Sequence, residues 1–178
     1  CSSDLFESAR ATAMLRELEA GIDAARFEVD GEALEIPVKL KVHDSVFVPL
    51  AKWPMLMAGN YRCVGDDAMI SIRDAVHGDA EASRRVYEWT AALCRAFGAE
   101  DADLVPYEKY AKAAEGLAKP SSAARALFSG AEHIERVDRL VQALARQRGL
   151  SNTQIDEVVA RVGRRLMKNR GLVTPAIA

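Results

Sequence analysis

Four stretches of the 178-residue chain carry residue types from which chemistry could be built. In LAKWPMLMAGNYRCV, Lys52 and Asn60 place an ammonium and a carboxamide eight residues apart. On one continuous α-helix that separation rotates the two by about 80°, close enough for both to reach one pocket beside Trp53 and Tyr61. A lysine there can donate a proton or anchor an anion. The alternative is structural: Trp53, Met55, Leu56 and Met57 are core, Lys52 snorkels to water and Pro54 marks a helix start. In KPSSAARAL, Pro120, Ser121 and Ser122 read as another helix start, which leaves hydroxyls and free N–H groups where a carboxylate or phosphate could bind. Helix capping accounts for it equally well. Glu135 and Asp138 lie one turn apart beside Arg136 and Arg139, and read as surface ion pairs worth little.

The remaining nucleophile and metal chemistries find no framework. His43, His77 and His133 are far apart, as are the three cysteines Cys1, Cys63 and Cys94, and neither HExxH, CxxC nor GxSxG occurs. The cysteines read as free thiols. Neither GxGxxG nor GxxxxGK[ST] is present, so this chain by itself lacks a phosphate-cradling loop.

A rival of another class lies in residues 141–160. In LARQRGLSNTQIDEVVARV, Ala145, Gly149, Ile155 and Val158 have the small, glycine and apolar spacing of a helix-turn-helix. Basic residues flank it: nine Arg and Lys against four Asp and Glu between Ile134 and Arg170. Asp156 and Glu157 on the would-be reading helix would face phosphates, and the preceding helix reads as about twice the usual length, so nucleic acid is disfavoured as a partner. A non-catalytic helical dimerisation or interaction domain is the third alternative, with a homodimer left open.

The elements that must position these residues follow from composition and period. The chain is 49% hydrophobic and 28% charged, with 24 basic and 26 acidic side chains and 31 alanines, which favours helix. Asp4 to Ala20 reads as an amphipathic helix with an Asp4-x-x-Glu7 cap and Gly21 as its stop. Leu34, Ile36, Val38, Leu40 and Val42 alternate with polar residues as one strand face, with Pro37 marking an edge. Asp30-Gly31 is a hairpin signal, and Val46 with Val48 follow the His43-Asp44 turn as a third strand. Beyond Lys52 the period is helical, giving about six helices. The longest are expected near 80–97, 131–148 and 151–168, the last with a Ser151-x-x-Gln154 cap. The expected fold is mainly α: residues 1–50 form a small α+β lead-in, and residues 51–178 a helical bundle around Trp89, Leu93, Phe97, Leu117, Leu127, Leu140 and Leu144. No window approaches a membrane span and CSSDLFESAR lacks the layout of a signal peptide, so the expected location is cytoplasmic, with no membrane partner.

In order, the LEAGI helix end, the Trp53 helix with a following Asn, the long helix closing on CRAFGAE, PSS, Gly130, an acidic-led helix and ARQRGL resemble the C-terminal half of the ketopantoate reductase (2-dehydropantoate 2-reductase) family. The likeness spans about three quarters of the chain. It implies an all-helical substrate or dimerisation domain of the 6-phosphogluconate-dehydrogenase C-terminal type. It also implies that residues 1–50 are the tail of a dinucleotide-binding domain, and that a small 2-keto acid is reduced by NADP(H) held outside this chain. The resemblance places the general-acid lysine at Lys52 and substrate ligands at Asn60, Ser122 and Glu135. Three departures stand beside it, the first being that the family's short inter-domain stretch is replaced by the strand-rich segment from Phe27 to Val48. In the family Lys follows Trp with Asn one turn later, whereas Lys52 precedes Trp53 and Asn60 lies two turns on; the Asp that usually follows the serine pair is absent from SSAARAL.

Overall fold

A computed structural model describes residues 8–36, 38–43, 45 and 47–172, and the chain separates into two units, Cys1–Val48 and Pro49–Ala178. The described residues form eight α-helices and one two-stranded sheet, a mainly α fold with a small α+β segment, as the alanine content and helical period imply.

In the first unit, α1 (Ala9–Ala24) starts at Ser8, whose side chain accepts from the Ala11 N–H. The Asp4-x-x-Glu7 pattern lies outside the described residues. Gly21 does not stop the helix; a glycine inside a helix costs about 1 kcal/mol without ending it. The chain leaves α1 at Ala25, which is extended. The hairpin signal holds: β1 (Arg26–Val29) pairs antiparallel with β2 (Glu32–Glu35), and Asp30 and Gly31 turn between them at φ 54° and 84°. Positive φ at both turn residues matches the strand twist and suits Asp-Gly. The strand does not continue through Leu40 and Val42. There the Lys39 ammonium lies 3.3 Å from Asp23 and the Lys41 ammonium 3.0 Å from Glu19, while the Val42 N–H also donates to Glu19. Polar positions expected to face water instead reach the carboxylates of α1, whose pKa values the Lys41 ammonium lowers. Pro37, Asp44 and Val46, on which the edge, the turn and the third strand rested, lie outside the described residues.

In the second unit, α2 (Lys52–Met55) runs directly into a π-turn (Leu56–Asn60) and a 3₁₀ turn (Tyr61–Cys63). There follow α3 (Ile72–His77), α4 (Ala80–Ala96), α5 (Tyr107–Ala114), α6 (Ser122–Phe128), α7 (Val137–Gln147) and α8 (Thr153–Asn169). The core gathers Met57 and Tyr61 with Val76, Val86, Leu93, Leu127, Val141, Ile155, Val162 and Leu166. Of the seven residues expected at its centre, Leu93 and Leu127 are fully buried and Trp89, Phe97 and Leu144 partly so, but Leu117 and Leu140 are 43% and 46% exposed. For Leu140 the reason is the phase of α7. Residues 131–136 are not helical, α7 starts at Val137, and its buried face runs Val137, Val141, Ala145, which turns Leu140 aside. The cap of α8 is Asn152, accepting from the Gln154 and Ile155 N–H groups, rather than Ser151. Among the described residues no helix is long and apolar enough to cross a membrane.

Candidate functional site

A helix that widens into a π-turn frees carbonyls that must find other donors. Between Met55 and Asn60 side chains add to the donors. Tyr110 Oη of α5 donates to the Met55 carbonyl at 3.2 Å, Ser83 Oγ of α4 to Ala58 at 3.4 Å, Cys63 Sγ to Gly59 at 3.4 Å and Ser121 Oγ to Asn60 at 2.7 Å. The Tyr61 N–H closes the wide turn onto the Leu56 carbonyl. Gly59 is required by this arrangement, because a Cβ there would collide with the Tyr110 hydroxyl and lie 3.3 Å from Val76 Cγ2. The Tyr110 ring is in turn stacked on Tyr87, centroids 5.3 Å apart.

The next residue carries the wiring to α7. Tyr61 Oη donates to the Glu135 carbonyl at 2.7 Å and accepts from the Val137 N–H at 3.0 Å. Burial pushes its pKa up to about 12, so it acts as a neutral bridge. Just beyond, Asp138 is fully buried and takes two hydrogen bonds from Arg136, at 2.8 and 2.7 Å, while Arg136 also donates to the Val159 carbonyl of α8. This corrects the expectation of weak surface ion pairs: the pair is a two-pronged buried lock, the strong form of the interaction.

The four residues singled out from the sequence are placed unevenly. Asn60, Ser122 and Glu135 gather at one junction through the backbone: the Asn60 carbonyl is held by Ser121, and the Glu135 carbonyl by Tyr61. The Asn60 side chain is half-buried, and Ser122 and Glu135 are exposed. Ser121, not Ser122, is the buried cap of α6, accepting from the Ala124 N–H at 3.1 Å. Lys52 stands two turns upstream, exposed, and no hydrogen bond ties it to the junction. The 80° of a regular helix does not apply between Lys52 and Asn60, since the π-turn inserts about one residue and swings their directions to within roughly 20°. What the hydrogen bonds join at the junction is the Asn60 and Glu135 carbonyls to the side chains of Ser121 and Tyr61.

Other chemistries find no site among the described residues. Burial raises the pKa of Cys63, and that of Cys94 to about 11, so neither thiol is poised as a thiolate. No group of three or more His, Cys, Asp or Glu could hold a metal ion. A hollow of about 300 Å³ between Tyr87, Arg95, Leu104, Pro106 and Glu108 includes none of the four residues. For the helix-turn-helix reading, Ala145, Ile155 and Val158 are buried and Gly149 has φ 69°, as that spacing requires. The helix before the turn has 11 residues rather than double length. Asp156 accepts hydrogen bonds from Gln142 and Arg146 and is taken up within the helix pair.

Against known proteins, no family model, no curated protein and no solved structure matches the chain. Sequence reasoning named Ser121, Tyr61 and Asp138 but gave none of them the part that the hydrogen bonds do. The signal available was faint: a serine one place before the chosen one, a tyrosine one place after the chosen asparagine, and an acidic residue flanked by arginines.

Proposed function

We propose that the second unit is the substrate-binding helical domain of an NADP-dependent reductase of small 2-keto acids, with the Asn60, Ser122 and Glu135 junction as the substrate's seat. The observation that carries the reading is the convergence of two further chain segments, those carrying Ser121 and Glu135, on the turns at Asn60 and Tyr61. A site needs its polar groups held by an over-determined scaffold, and the carbonyl bonds around Asn60 supply one. Asn60 and Ser122 would hydrogen-bond the substrate's hydroxyl and carboxylate, and Glu135 would fix a hydroxyl at its far end. Hydride arriving at the keto carbon leaves negative charge on oxygen; an ammonium stabilises that charge and supplies the proton, the role assigned to Lys52. The dinucleotide would be bound by sequence outside residues 49–178. Two buried, unpaired thiols, Cys63 and Cys94, accord with a reducing, cytoplasmic setting.

The test is NADPH oxidation by the natural gene product with ketopantoate and related 2-keto acids. Loss of Lys52 as general acid should lower turnover by about 10²–10⁴-fold. Turnover of Lys52→Ala within a factor of a few of the parent sinks the assignment.

The helix-turn-helix reading keeps one observation in its favour, the left-handed Gly149 between the buried Ala145 and Ile155. Duplex binding that falls steeply with added salt would establish it, because each neutralised phosphate releases counterions. Absent or salt-insensitive association would eliminate it.

A further inference from the structure

Away from the junction, α8 carries Arg161, Arg164, Arg165 and Lys168 at spacings of three, four and seven, so all four project from one side of the helix. With Gly65 and Asp66, from the loop after the 3₁₀ turn, they line a hollow of about 180 Å³. Four like charges on one helix face repel one another, and the hollow holds one carboxylate to offset them. Asp66 accepts from Arg164 Nη2 at 2.7 Å and lies 3.7 Å from Arg161 Nε, beyond hydrogen-bond reach. Arg164 is the first cause of the lowered Asp66 pKa, with Arg161 adding to it.

Donors are left over. Arg161 Nε and Arg165 Nε are buried and have no hydrogen-bond partner among the described residues, and the same holds for Nη1 of the neighbouring Arg62. Burial is the first cause of the lowered Arg62 pKa; Asp79 opposes it and Arg161 adds to it. The Arg165 guanidinium lies 3.8 Å from the centroid of the Phe128 ring, which steadies it. Buried cationic donors without acceptors are costly, and an arrangement that retains several of them is complete only with an anion in place.

We infer that this hollow is an anion site that takes the phosphate or diphosphate group of a small ligand, for which the Asp66 carboxylate is the internal competitor. Guanidinium forks match the geometry of phosphate oxygens in pairs, and a lysine adds a point charge. The hollow, about 180 Å³ and open to solvent, has room for a phosphoryl or diphosphoryl group. A carboxylate ligand would leave most of the positive charge unanswered; a doubly or triply charged anion answers it. The site lies apart from the keto-acid junction and stands or falls independently of it.

The experiment is calorimetric titration of the protein with sodium pyrophosphate at fixed ionic strength, alongside inorganic phosphate, glycerol phosphate and acetate. Saturable one-to-one binding of pyrophosphate is expected, at least about tenfold tighter than acetate. Arg164→Gln and Lys168→Gln, both on exposed side chains, should each weaken it about tenfold, the value of one charge-assisted hydrogen bond. Asp66→Asn should tighten it several-fold by removing the competitor, a direction that a folding defect cannot imitate. Tighter binding of glycerol phosphate than of inorganic phosphate would mark an organic phosphate as the ligand, and the reverse a free ion; either supports the site. Absence of saturable pyrophosphate binding, an Asp66→Asn variant that binds no more tightly, or preference for duplex DNA over pyrophosphate overturns it.

Discussion

Gly59 and Tyr110 share one volume, and that makes their substitutions interdependent. Gly59→Ala alone gains about 1 kcal/mol of helix propensity. Its new methyl meets the Tyr110 hydroxyl, costing about 1–3 kcal/mol in overpacking. Displacing that hydroxyl also removes its hydrogen bond to the Met55 carbonyl, at about 0.5–1.5 kcal/mol. The net loss should be about 2 kcal/mol. Tyr110→Phe alone removes the same hydrogen bond without a clash and should cost about 0.5–1.5 kcal/mol. In the double variant the methyl enters the space vacated by the hydroxyl, the hydrogen bond is lost once rather than twice, and the remaining 3.3 Å approach to Val76 Cγ2 offsets the propensity gain. Its loss should be near that of Tyr110→Phe alone. The cycle therefore predicts a favourable coupling of about 2 kcal/mol, read from urea midpoints at constant slope. Additivity within about 0.5 kcal/mol would refute the claim that Gly59 exists to admit the Tyr110 hydroxyl.

Asp138→Ala should destabilise by about 3–5 kcal/mol in the same assay, since it leaves Arg136 largely buried without its partner, whereas replacing both by apolar residues of similar volume should recover most of the loss. Ser121→Ala should cost about 1–2 kcal/mol through the lost α6 cap and the stranded Asn60 carbonyl, while Ser122→Ala stays within about 0.5 kcal/mol. Stability should also fall in alkali. Cys94 is raised from 9.0 to about 11 and Tyr61 from 10.0 to about 12 by burial, so the unfolded chain ionises first. The stabilisation from both groups is intact below pH 9 and is lost as pH climbs from 9 through 12. A urea midpoint that stays flat from pH 8 to pH 11 would contradict this.

How much could be read from the sequence depended on how local the deciding interactions are. The Asp30-Gly31 hairpin and the long helix α4 were legible because a positive-φ turn and a repeating apolar face are written in neighbouring residues. The strand through Leu40 and Val42 was not, because Lys39 and Lys41 find carboxylates on α1, a contact between residues about twenty positions apart. The start of α7 was misplaced for the same reason. Glu135 and Val137 are held by Tyr61, more than seventy residues away, and no cap signal near residue 131 reveals it. At the candidate site, the segments around Asn60, Ser122 and Glu135 are tied to one another through backbone carbonyls. The side chains that bind them together, Ser121 and Tyr61, each sit one position from those chosen. A periodic pattern fixes which stretch packs where, but the π-turn shifts the helical phase by about one residue, and only the hydrogen bonds show that shift.

The central claim, that a small 2-keto acid sits at the Asn60, Ser122 and Glu135 junction, is tested most directly by titrating ketopantoate into the ¹⁵N-labelled protein and following its amide resonances. The account predicts saturable shifts concentrated at Asn60, Tyr61, Ser121, Ser122 and Glu135, abolished in a protein carrying Asn60→Ala with Glu135→Gln. An unchanged spectrum, or shifts confined to residues 161–168, would contradict it.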